Sequence, residues 1–328
     1  MGKFADYFYE REFRTFSKKR TAEARSTRGV LNRRNTTIFI ISLLIIPIIN
    51  WLVFWLFING QSILMAFQNP LTGEFTWDLF KQVWERLTAP GGVLGIALKN
   101  TLLYFSSTIF IVLPLSLVIA YFLYKKIPGY RFFRVIFFLP AIISGMALVV
   151  AYSELISPQG PIMTFLKSIG IPVSPYGLLG RPETATPTIL FYTIMTSFTT
   201  NVLLFSGAMS RVPNEVLESA RLEGCSQFRE LVEIIFPLIW PTFSTQLIFT
   251  MTGLFTASGP IMLFDPNNNL QTITISYWIF QQSSGLFGGG GVSAYNLVSC
   301  TGLCFTLAGF PIIMGCRKLT DKINAVEY

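Results

Sequence analysis

Long uncharged runs alternate with short charged segments along this chain. Ile38–Phe57 holds twenty residues without a charge, enough to cross a bilayer at about 1.5 Å per residue. Pro47 predicts a kink within it, and Trp51 and Trp55 mark a possible interface belt toward its outer half. Thr101–Tyr124, Val135–Ser153, and runs within Thr184–Ser210, Ile234–Phe264 and Ala294–Gly315 predict five more spans, the fifth starting near Pro237 or Pro241. Gln61–Lys99 reads as a polar loop. Within it Trp77, Phe80, Val83, Trp84 and Leu87 recur at helical spacing, so Thr76–Leu87 is expected as an amphipathic helix on the bilayer or the bundle. Turn residues at Pro158–Pro161 and Ile171–Pro187 predict a second outer loop. Asp265–Gly291 predicts a third, with an edge helix at Thr272–Gln281. The pattern describes an all-α membrane protein with six transmembrane helices.

Composition agrees, and charge adds direction. The 328 residues are 52% hydrophobic and 13% charged, where soluble domains carry about 25% charged residues. Twenty of the 25 basic residues lie in residues 1–35, the turn Lys125–Arg134, the segment Arg211–Pro237 and the C-terminal end. Only Lys81, Arg86, Lys99, Lys167 and Arg181 lie on the opposite side. By the positive-inside rule both termini are cytoplasmic, which requires an even number of spans. The net charge of +8 therefore reports orientation and not a nucleic-acid footprint. Three parts follow: a basic tail over 1–35, a membrane domain over 36–320 and a cytoplasmic end over 321–328. The tail interleaves Phe4, Tyr7, Phe8, Phe13 and Phe16 with its charges. It reads either as a solvated segment that orients the first helix or as one that lies on anionic lipid or a partner.

Catalytic chemistry is poorly supported. The chain has no histidine, and so lacks the commonest general base and metal ligand. Cys300 and Cys304, one turn apart, read as packing residues, so no metal or catalytic site is expected. The spans carry almost no ionisable group, which argues against proton or sodium coupling. No G-x-x-x-x-G-K-[ST] sequence is present, so any nucleotide chemistry is expected on a partner.

Arg211–Trp240 is the one long charged segment between two apolar runs. Val212, Val216, Leu217, Ala220, Leu231, Ile234 and Ile235 recur at helical spacing, with Glu215, Glu218, Arg221, Glu223, Arg229, Glu230 and Glu233 between them. The spacing predicts two short amphipathic helices bent at Gly224, lying on the face of the membrane domain. Glu218-Ser219-Ala220, then Gly224, Ile234 and Phe236-Pro237, resemble the EAA loop of binding-protein-dependent ABC importer permeases. Ser219 replaces the first Ala of that pattern and Phe236 its Leu. The six-span layout is similar to that of the maltose-type sugar permeases, over roughly residues 36–320.

The resemblance implies a type I ABC importer permease fold in a bacterial or archaeal cytoplasmic membrane. It implies a second permease subunit, two ATPase subunits that hold ATP and Mg at the cytoplasmic face, and an extracytoplasmic solute-binding protein. It makes residues 211–237 the coupling loop, in which Glu218 offers a charge, Ser219 and Ala220 allow close approach, Gly224 bends, Leu217 and Leu222 fill an apolar cleft, and Pro237 returns the chain to the membrane. Candidate solute-path residues come from the spans. Thr193, Ser197 and Thr200 share a face beside Tyr192 and Asn201, and Gln246, Thr250 and Gly253 share another. Hydroxyls, amides and aromatics without charge suit a neutral sugar, with peptide-like or glycerol-phosphate-type cargo as alternatives. The same residue types also serve helix–helix contact. The competing reading is an ATP-independent carrier or channel for a neutral polar solute.

Overall fold

The computed structural model describes residues 33–171, 174–256, 260–264, 271–285 and 292–322. The expectations for the tail up to residue 32, for the Pro266–Asn269 and Gly288–Gly291 turns, and for residues 323–328 lie outside these. Helices account for the regular structure of the described residues, beside one isolated antiparallel bridge between Gln68 and Phe75. Among the described residues, five helices are long and apolar enough to cross a membrane, or six if one bent pair counts as a single crossing.

The chain divides into two units at Leu64–Met65. The first unit holds most of α1, Thr36–Ala66, an uninterrupted run that extends nine residues beyond the predicted Phe57. Trp51–Phe57 winds as a π-helix, with the Trp51 and Trp55 rings stacked 5.3 Å apart. In the second unit, α2 (Asp78–Thr88) confirms the predicted amphipathic helix, but its buried face is different. Leu79 and Val83 are buried while Trp77 and Trp84 face outward.

Next come α3 (Val93–Tyr124), α4 (Tyr130–Ile142), α5 (Gly145–Leu155), α6 (Pro161–Ser168) and α7 (Pro182–Met209). The chain is completed by α8 (Asn214–Leu222), α9 (Gln227–Thr252), a single turn at Ile261–Phe264, α10 (Ile275–Ser284) and α11 (Val292–Asp321). One expectation changes here. Val135–Ser153 is not one straight span, because α4 and α5 meet at 109° across Ile143–Ser144, just past Pro140. The helix that holds the fifth span starts ahead of Pro237 and Pro241, at Gln227, and both prolines lie inside it.

Proline explains two local irregularities. The π-turns Thr108–Val112 in α3 and Glu230–Ile235 in α9 each stand within two residues before a proline, Pro114 and Pro237. Proline removes a donor and crowds the preceding turn, and a locally widened helix absorbs both effects.

Two apolar clusters hold the second unit together. One gathers Leu79, Leu94, Tyr104, Ile189, Tyr192, Trp278 and Phe305 from α2, α3, α7, α10 and α11. The loop at this end is tied down by Asn100, whose Nδ2 donates to the carbonyls of Gln271 (2.7 Å) and Ile273 (2.9 Å). The Ile275 amide donates to Thr101 Oγ1 at 2.9 Å. The other cluster joins Leu113, Leu117 and Tyr121 of α3, Phe205 and Met209 of α7, Leu217 of α8, and Leu231, Ile235 and Ile239 of α9. α7 packs along α3 between the clusters and is the spine of the unit.

Candidate functional site

Helix α8 is a nine-residue amphipathic helix whose two faces do different work. Extended Pro213 precedes it, where a missing N–H costs nothing. Its end is a Schellman turn. The Cys225 amide donates to the Ala220 carbonyl at 3.0 Å, and the Gly224 amide to the Arg221 carbonyl at 3.0 Å. That turn needs a left-handed residue, and Gly224 has φ +78°. The bend predicted at Gly224 is therefore present. The second short helix is not separate. Ser226 starts α9 by accepting the Arg229 amide on its hydroxyl, and α9 runs on into the membrane domain.

The inward face of α8 carries Leu217 and Ala220, buried with Val212, Leu231 and Ile235. Leu217 is 3% exposed, so it keys α8 onto its own chain and does not offer the outward apolar surface expected of it. Leu222 does, being 90% exposed. Phe228 at the head of α9 is also exposed beside it in sequence, an outward apolar residue that the periodicity did not single out. Glu218 and Ser219 face solvent, and Glu218 forms no ion pair among the described residues. A cavity of about 260 Å³ lies between α8 and the α3–α4 turn, lined by Asn214, Leu217, Glu218 and Arg221 on one side and Tyr124, Lys125 and Lys126 on the other.

Glu230 is placed with the solvent-facing charges by its spacing, and here the structure differs. Its carboxylate is buried, with Oε2 accepting from Lys125 Nζ at 2.7 Å and Oε1 2.6 Å from the same ammonium. Glu230 opens the π-turn Glu230–Ile235 and is buried there with Leu231 and Ile235. Pro237 sits just after that turn, inside the helix.

The candidate path residues separate into groups. Gln246 Nε2 donates to Asn201 Oδ1 at 2.8 Å, joining α9 to α7 through the only two amides of the set. Tyr192 belongs to an aromatic trio with Tyr152 (5.1 Å) and Phe264 (4.9 Å) in the first cluster. The hydroxyls of Thr193, Ser197 and Thr250 donate to carbonyls one turn back on their own helices, at 2.9, 2.6 and 3.0 Å. Thr200 continues that face one turn further but is exposed where Thr193 and Ser197 are half-buried. Gly253 closes the end of α9.

Residues 91–314 match the family described as the binding-protein-dependent transport system inner membrane component. The chain belongs to this family. It is a multi-pass inner membrane transport subunit of the ABC importer kind, and not an enzyme. Among curated relatives, the permease is 23% identical to the multiple sugar-binding transport system permease protein MsmF of Streptococcus mutans, over 80% of this chain and 91% of that one. It is 23% identical to the arabinooligosaccharides transport system permease protein AraP of Bacillus subtilis, over 72% and 75%. Its fold matches a chain of a bacterial alginate ABC transporter solved with its alginate pentasaccharide-bound periplasmic protein. The TM-score is 0.75 at 19% identity, covering 91% of this permease and 99% of that chain.

Proposed function

We propose that this permease is one of two membrane subunits of an ATP-driven importer for a neutral sugar or oligosaccharide, and that α8 is where a cytoplasmic ATPase docks. The observation that carries the docking reading is the division of α8 into a keyed face and a free face. Leu217 and Ala220 anchor it, while Glu218, Ser219 and Leu222 stand clear for a partner. Glu218 suits a basic residue of the ATPase, and Leu222 an apolar cleft in it. Six crossings, with α4 and α5 counted as one bent crossing, would leave both ends of the chain on one side, and the basic residues near both ends favour the cytoplasm as that side. That arrangement sets the basic turn Lys125–Arg134 on the same side as α8, as the positive-inside rule requires.

A partner permease completes the route, and an extracytoplasmic binding protein delivers the solute. The relatives named above are sugar permeases, which supports carbohydrate as cargo. The path candidates Asn201, Gln246, Thr193, Ser197 and Thr250 offer amides and hydroxyls but no charge, which suits a neutral solute better than an acidic one.

Uptake into proteoliposomes holding the assembled transporter tests this reading. Glu218→Lys with Gly224→Asp is expected to abolish uptake and solute-stimulated ATP hydrolysis while the protein still inserts. Full uptake by that variant, or solute movement by the wild type without ATP, rejects the docking role.

A further inference from the structure

Behind the coupling helix, the end of α3 and the start of α9 are joined by side chains that the docking reading leaves unused. Lys125 and Glu230 lie 105 residues apart in sequence, yet the ammonium reaches both carboxylate oxygens, at 2.6 and 2.7 Å. Glu230 is 2% exposed and Lys125 13%, so the pair is withdrawn from water. Only Oε2 accepts in hydrogen-bond geometry, and Oε1 is held by charge alone. One turn earlier on α3, the Tyr121 hydroxyl donates to the Gln227 carbonyl at 3.0 Å. The Lys125 ammonium also lies over the Tyr121 ring, 5.7 Å from its centre. Two contacts thus tie the two helix ends, and the third holds Lys125 in place on its own helix.

A buried ion pair is a poor source of stability, because desolvation of both charges offsets most of their attraction. What it imposes is geometry, since either charge left alone in that setting is strongly unfavourable. The separation that would open the pair is therefore the costly motion, and the two helix ends travel together. The placement fits that role. α8 rests through Leu217 on the same cluster as Tyr121, Leu231 and Ile235. Its polar side is set off from Lys125 and Lys126 by the 260 Å³ cavity, so that side does not press on the α3–α4 turn directly.

We propose that Lys125 and Glu230 are positioning residues that lock the end of α3 to the start of α9, so that a displacement of the coupling helix moves both spans as one. This inference rests on the docking reading above. Its signature is the ratio of ATP hydrolysed to solute moved, which a merely structural role would leave alone in any variant that assembles.

The test uses the complete transporter in proteoliposomes. Glu230→Gln and Lys125→Met are expected to raise ATP consumed per solute about fivefold or more, with the ATPase still bound, because the two spans no longer follow together. Lys125→Arg keeps the charge and is expected to keep the ratio. The exchange Lys125→Glu with Glu230→Lys restores it to within about twofold, the compensation expected of residues in direct contact. Unchanged ratios in both single variants overturn the proposal. If a single variant fails to assemble, the exchange decides: restored assembly with a normal ratio supports the lock, and an assembled exchange with a raised ratio overturns it. Glu218→Lys run in parallel separates the two readings. Uptake preserved in that variant defeats docking at α8, whereas uptake lost there beside normal ratios in the pair variants defeats the lock alone.

Discussion

Leu217 and Leu222 stand five residues apart on one short helix and have opposite fates. The first fills the cluster beneath α8; the second meets solvent. Leu217→Ala should leave a cavity and cost about 2–5 kcal/mol, read as a lower thermal midpoint of the purified permease. Leu222→Ala should change stability by less than about 0.5 kcal/mol. It should nevertheless weaken ATPase binding about tenfold, measured by titrating the ATPase onto the reconstituted permease. Equal loss of stability in both variants would contradict the division of faces. Gly224 is a third case at this scale. A Cβ there meets nothing within 4 Å, so space is not the constraint. The constraint is φ +78°, and Gly224→Val should cost about 1–2 kcal/mol through backbone strain alone.

Among the elements, α9 is the one whose behaviour depends on an irregularity. Its π-turn widens the helix just before Pro237, and Glu230, the first residue of that turn, lies against Lys125. Pro237→Ala removes the crowding that favours the wide turn. Glu230 should then swing toward solvent, and ATP consumed per solute should rise as it does in Glu230→Gln. Exchange of the Leu231–Ile235 amides, followed by mass spectrometry, should slow as ordinary helical bonds replace the widened ones. Faster exchange there would mean that the proline stabilises the turn and does not merely distort it. The break between α4 and α5 is of a different kind: extended backbone at Ile143 and Ser144 turns the chain by 109°, on the far side of Pro140 from the turn that a proline disturbs.

For the whole molecule, the distribution of charge sets the orientation. Cys225 is half-buried at the end of α8, while Cys300, Cys304 and Cys316 lie along α11. With those three replaced by Ser, a membrane-impermeant thiol reagent should label Cys225 in inside-out vesicles and spare it in right-side-out ones. Labelling in the reverse order would put α8 on the outer face and end the docking reading.

Much of this protein was legible in the order of its residues. Uncharged runs of membrane length favour helices in lipid, so the all-helical class and the rough position of the apolar helices follow from local composition. The Gly224 bend follows likewise, because only local backbone freedom is involved. Tertiary structure alone decided which way side chains face. Glu230 repeats with the wet charges of its segment, yet it is buried in a widened turn against a lysine 105 residues away. Leu217 and Leu222 are equally apolar, and only the packing of α8 on α3, α7 and α9 tells anchor from contact. The physical reason is range. Hydrophobic runs and glycine turns act within a few residues, whereas the pairing of a charge and the burial of a face depend on neighbours that are distant in sequence and meet only once the helices have packed.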